Sequence, residues 1–93
     1  MKKVIIELYG IPRQLTKLRE IEVEVEPEAS LRDVVVRLGE KAPPLVGSVI
    51  AESGDRLLDP YSLNIDGRLF VQDLEMKPKD GDRIVLLSPA IGG

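Results

Sequence analysis

The residues of this 93-residue chain best suited to chemistry are its last two, Gly92 and Gly93. A terminal carboxylate has a pKa of about 3.5, so near neutrality it is ionised and a poor electrophile. Adenylation changes that. The carbonyl of an acyl-adenylate accepts sulfur to become a thiocarboxylate, or a lysine amine to become an amide. Glycine suits both routes: no side chain at Gly93 hinders the reacting carbonyl, and none at Gly92 restricts the torsions needed to thread a narrow channel. Extended at about 3.3 Å per residue, the stretch from Ser88 to Gly93 reaches roughly 20 Å, enough to enter the active site of another protein.

Other chemistry is poorly supplied. The chain has neither cysteine nor histidine, which removes thiolate nucleophiles, disulfides, imidazole acid–base catalysis and the usual zinc ligands. A net charge of −3, with two tyrosines and one phenylalanine, disfavours nucleic acid as a partner, because phosphate binding needs clustered cations and single strands need stacking platforms. Met1-Lys2-Lys3 is followed by Glu7 before any apolar span develops, so neither a signal segment nor a membrane partner is expected, and the reading is cytoplasmic. Asp55, Asp59 and Asp66 read as turn residues and not as a metal site. Leu69 and Phe70 read as core.

The elements that must position the tail follow from periodicity. Val4, Ile6 and Leu8 repeat at every second residue, the pattern of a strand with one buried face. Gly10-Ile11-Pro12 breaks the run. From Arg19 to Glu26, Ile21, Val23 and Val25 alternate with Glu20, Glu22, Glu24 and Glu26, giving a second strand that forms a hairpin with the first. The glutamates read as its wet face, which discourages edge pairing. Ser30 is placed to cap a helix, with Asp33 as a shortened capping box. Leu31, Val34, Val35 and Leu38 share one helical face, Gly39 weakens the last turns, and Pro43-Pro44 ends the helix.

Leu45 to Ile50 fits either a short strand or a helical turn, and Glu52 to Asp55 an exposed turn. Leu63-Asn64-Ile65 and Arg68-Leu69-Phe70-Val71 flank Asp66-Gly67, a hairpin dipeptide. Pro78 to Asp82 is another turn. The continuous apolar run in Arg83-Ile84-Val85-Leu86-Leu87 predicts a central strand buried on both faces. Pro89 has no amide donor for a ladder, so the regular domain ends at Leu87 and residues 88–93 form a flexible functional tail. The order predicts an α+β domain over 1–87, with one main helix on a mixed sheet: the ubiquitin-like β-grasp.

Asp80-Gly81-Asp82-Arg83-Ile84-Val85-Leu86-Leu87-Ser88-Pro89-Ala90-Ile91-Gly92-Gly93, with Ile65-Asp66-Gly67-Arg68 as a hydrophobic-Asn-Gly type hairpin, resembles the MoaD/ThiS sulfur carriers. Within that family the small subunit of molybdopterin synthase is the nearest in pattern. The resemblance implies that Gly93 is the reacting residue, adenylated by a ubiquitin-activating (E1-like) enzyme that uses ATP and magnesium, and then converted to a thiocarboxylate. The loaded tail would enter the catalytic subunit of molybdopterin synthase and give its sulfur to a pterin. Gly92 would permit threading, and Ser88, Pro89, Ala90 and Ile91 would guide the path. No permanently bound cofactor is implied. Two departures are visible: Ser88 stands where such tails often have a first proline, and Ala90-Ile91 reverses the usual large-then-small order. Conjugation of Gly93 to lysines of target proteins, and delivery of sulfur to thiamine or to transfer RNA, are the alternative outcomes of the same carboxyl chemistry.

Overall fold

The computed structural model describes residues 1–65, the backbone of 69–71, and residues 73–88. The alternating segments become β1 (Lys2–Leu8) and β2 (Glu20–Val25). They pair antiparallel with Val4 opposite Val23 and Ile6 opposite Ile21, which puts the apolar residues of both strands on the same side of the sheet. The connection is not the simple turn that Gly10-Ile11-Pro12 suggests, because a short helix, α1 (Ile11–Thr16), lies within it. Gly10 enters it at a φ of 64°, a left-handed value that glycine adopts without strain. Pro12 sits in the first turn, where a missing amide donor costs nothing and its fixed φ is already helical.

The main helix, α2 (Leu31–Lys41), starts as its sequence requires. Ser30 accepts from the Asp33 amide, and Asp33 accepts from the Ser30 amide at 2.9 Å, so two of the orphan donors at the helix start are satisfied. Leu31, Val34, Val35 and Leu38 are buried against the sheet. Each such side chain contributes roughly 1.5–3 kcal/mol when removed from water, and this outweighs the weak helix propensity of three consecutive valines. Gly39 does more than weaken the last turn. A Cβ there would lie 3.2 Å from Cγ2 of Val46, so the missing side chain lets the following loop pack close.

After α2, Pro43–Leu45 forms a single 3-10 turn. The segment to Ile50 is then held by isolated bridges, Val46 to Ile50 and Ile50 to Leu57, which resolves the choice between strand and turn in favour of the turn. β3 (Ser62–Ile65) and β4 (Leu69–Val71) pair antiparallel, as the hairpin pattern predicts. The Asp66-Gly67 turn itself lies outside the described residues.

β5 (Arg83–Leu87) runs parallel to β1 and antiparallel to β3, giving a five-stranded mixed sheet in the order β2-β1-β5-β3-β4. Its central place is as predicted; its double burial is not. Ile84 and Leu86 are fully buried, but Val85 and Leu87 are only partly covered, because α2 packs on the side of the sheet to which Ile84 and Leu86 point. The sequence also concealed Lys2, which is buried with its ammonium donating to the carbonyls of Ala29 (2.9 Å) and Pro78 (2.7 Å). This ties the start of β1 to two loops.

Candidate functional site: the root of the C-terminal tail

Ser88 is the last residue of the predicted tail that the structure describes; Pro89, Ala90, Ile91, Gly92 and Gly93 lie outside the described residues. What can be built upward is the root from which the tail leaves. β5 is paired on both flanks as far as Leu86, and on the β3 side as far as its last residue, Leu87. Leu8 stands in register with Leu86 on one side and Ser62 with Leu87 on the other. The Tyr9 amide donates to the Leu86 carbonyl at 3.3 Å, one further bond at the point where β1 ends. A strand clamped between two neighbours fixes where a following segment starts and the direction in which it leaves.

Ser88 opens beside an apolar cleft of about 520 Å³ lined by Tyr9, Gly10, Ile11 and Leu87. Tyr9 and Ile11 are nearly half exposed, and Leu15 and Leu18 of the same connection also reach solvent. Neighbouring exposed apolar side chains such as Tyr9 and Ile11 are a mark of a protein-binding surface. Tyr9 is held in place by two contacts. Its hydroxyl donates to Glu7 at 3.2 Å, and the Arg13 guanidinium lies 4.9 Å from its ring centre, within cation–π range. Arg13 is in turn fixed by donation to the Leu8 carbonyl at 3.0 Å.

On the side of the sheet away from α2, Arg83 donates to Glu7 at 2.6 Å and to Glu20 at 2.7 Å. The bond from Arg83 is the main cause that holds the Glu7 carboxyl below its ordinary range; partial burial opposes it, and the Tyr9 hydroxyl assists. Beside Val85 and Leu87 in register, Asn64 Oδ1 and Ser62 Oγ are buried with no hydrogen-bond partner among the described residues. Among the described residues, the cleft's lining carries no carboxylate, lysine or arginine. Among the described residues no three of His, Cys, Asp or Glu are placed to hold a metal ion, and no helix is long and apolar enough to cross a membrane. Asp55 is a turn residue, its carboxyl lowered chiefly by the Ser53 hydroxyl that donates to it at 2.7 Å. Among the described residues, the arrangement fixes where β5 ends beside an exposed apolar cleft.

Sequence reasoning missed α1 and with it the Tyr9–Ile11 surface. The available signal is the Gly-x-Pro start followed by Leu15 and Leu18, in which a proline marks a helix start as readily as a break.

No family model matches the sequence, and no curated protein matches it. Solved structures do. SAMP1 from Haloferax volcanii is 23% identical over 98% of this chain and 99% of its own, with a TM-score of 0.84. A putative molybdopterin converting factor subunit 1 from Pyrococcus furiosus is 23% identical, covering 97% of this chain and 100% of its own, at a TM-score of 0.73. A complex of subunits 1 and 2 of the molybdopterin-converting factor from Helicobacter pylori contains a chain 20% identical over 98% of this one and 99% of its own, at a TM-score of 0.60. The fold is thus the ubiquitin-like β-grasp, and the likeness to these solved structures extends over nearly the whole chain.

Proposed function

We propose that this protein is a sulfur carrier whose working group is the carboxylate of Gly93. In the first step that carboxylate attacks the α-phosphate of ATP in a ubiquitin-activating-type enzyme, where magnesium balances the phosphate charge and pyrophosphate leaves. In the second a sulfide equivalent attacks the acyl-adenylate carbonyl, AMP leaves, and the thiocarboxylate remains. As the small subunit of a molybdopterin synthase, the chain then gives that sulfur to a pterin in the catalytic subunit, and water restores the carboxylate. ATP and magnesium belong to the activating enzyme.

The observation that carries this reading is the root of the tail. The Gly-Gly end follows a central strand pinned on both flanks, and the strand empties beside an exposed apolar cleft. A partner can seat Tyr9 and Ile11 while the tail passes inward; the likeness to a converting-factor subunit solved in complex with its second subunit supports such a partner. The test is reconstitution. With an adenylating enzyme from the same organism, ATP, magnesium and a sulfur donor, the chain should acquire one sulfur in place of one oxygen. The same chain lacking Gly92-Gly93 should not. Absence of loading in the intact chain, with the enzyme active on another carrier, would contradict the reading.

A second reading is favoured by the likeness to SAMP1, a small archaeal modifier protein: the same acyl-adenylate accepts a lysine amine of another protein. Trypsin cuts after Arg83, so conjugated lysines would bear residues 84–93. Finding such lysines in cells that carry the chain supports modification, and their absence leaves sulfur delivery as the sole outcome of activation.

A further inference from the structure

β2 stands at the end of the strand order, so one side of its backbone pairs with β1 and, among the described residues, the other pairs with no strand. The register says which groups face outward. The Leu8 amide donates to the Arg19 carbonyl at 2.9 Å, while the Lys3 and Ile5 amides turn the other way, to Asp80 and Asp82. In an antiparallel ladder, bonded and non-bonded pairs alternate. Glu24 and Glu22, opposite Lys3 and Ile5, therefore direct their amides and carbonyls away from β1. One of these carbonyls is already taken, because Lys41 at the end of α2 donates to Glu22 O at 2.7 Å. The Glu22 amide and both groups of Glu24 remain.

Beside this edge lies a groove of about 440 Å³ between β2 and α2. Its apolar lining comes from Val25, Ala29 and Val36, and its acidic rim from Glu26, Glu28 and Glu40. Arg37 and Lys77 offset Glu40 and Glu28, whereas Glu24 and Glu26 have no ion-pair partner among the described residues. Val36 is more than a third exposed, although it sits in a run of buried valines. An unpaired edge, an apolar groove on one side and an acidic row on the other are the complement of one kind of chain.

We infer that the outer edge of β2 receives an extended segment of a partner protein in which Lys or Arg alternates with branched apolar residues. The segment joins the sheet as an added strand and pairs with Glu22 and Glu24. Because side chains alternate along a strand, its apolar residues enter the groove while its basic residues meet Glu24 on the opposite face, where Arg83 already holds Glu20 and Lys3 lies 3.9 Å from Glu22. A second copy of this chain does not fit: paired β2 edges would set glutamate against glutamate across the junction, and like charges directly opposite are unfavourable. The site is also remote from the tail. Val25 is in register with Lys2 at one end of β1, and β5 ends beside Leu8 at the other, roughly 20 Å away at about 3.3 Å per residue. Both can be engaged at once, and the edge site stands whether or not Gly93 carries sulfur.

The probe is a fluorescein-labelled peptide of alternating lysine and valine, titrated into the full chain, with amide exchange followed by NMR. Saturating peptide should slow exchange at the Glu22 and Glu24 amides at least tenfold. Glu24→Lys should weaken binding about tenfold. The same peptide N-methylated at its pairing residues keeps its charge but loses its donors, and it should not bind. Equal binding of the N-methylated peptide would reduce the interaction to charge alone and overturn the inference. So would perturbations centred on Tyr9 and Ile11, no binding of the unmodified peptide, or self-association of the chain through this edge.

Discussion

Arg83 donates to Glu7 at 2.6 Å and so links the start of β5 to the end of β1, its parallel neighbour. Glu7 has its carboxyl held down in the folded state, chiefly by that bond. A carboxyl lowered on folding adds stability that is present above its unfolded pKa of about 4.3 and is lost as the pH falls through the lower folded value. Arg83 stays charged throughout, so no matching loss occurs on the alkaline side. About half of the arginine side chain is exposed, so solvent screening keeps the contribution small. Urea midpoints measured from pH 7 to pH 3 should fall less steeply for Glu7→Gln than for the unaltered chain. Parallel curves would show that the pair does not contribute.

The reciprocal cap at the start of α2 gives a larger effect. Ser30→Ala removes the acceptor for the Asp33 amide and should cost about 1 kcal/mol. Asp33→Ala removes the other half. Because both belong to one motif, the double variant should lose less than the sum of the single losses in denaturant titrations.

Leu86 lies in the middle of the sheet and is fully buried, next to the residue that begins the root of the tail. Leu86→Ala should destabilise by roughly 2–5 kcal/mol through lost transfer energy and a residual cavity. It should impair tail chemistry only in proportion to the unfolded fraction, a separation that thermal melts and loading assays at low temperature would resolve.

Ile11 behaves in the opposite way. It is nearly half exposed on the cleft beside Ser88, so Ile11→Asp should change stability by no more than about 0.5 kcal/mol. Sulfur loading or transfer should nevertheless fall several-fold, since a charge would enter an apolar contact with the partner. Unchanged kinetics would remove the cleft from the docking surface.

The alternation in β1 and β2, the Ser30 cap and the central place of β5 were legible because each is dictated by local chemistry: a period of two, a side-chain acceptor, a continuous apolar run. Three features were not. α1 was hidden because Pro12 signals a break and a helix start alike, and its exposed Ile11 and Leu15 produce no buried face to read. The buried Lys2 was invisible because its partners, the carbonyls of Ala29 and Pro78, come from loops far along the chain. The partial cover of Val85 and Leu87 depends on which layer lies over the sheet, and composition alone carries no record of that. For the site, sequence indicated Gly92-Gly93 as the reacting end, while the Tyr9–Ile11 cleft at its root became visible only with the fold.

The most direct measurement is the intact mass of the protein purified from its native cells without thiol-reactive reagents. The account predicts a fraction in which one oxygen is replaced by sulfur, localised by fragmentation to Gly93 and absent after Gly92-Gly93 is deleted. A single unmodified species in cells where the activating enzyme is present and active would contradict it.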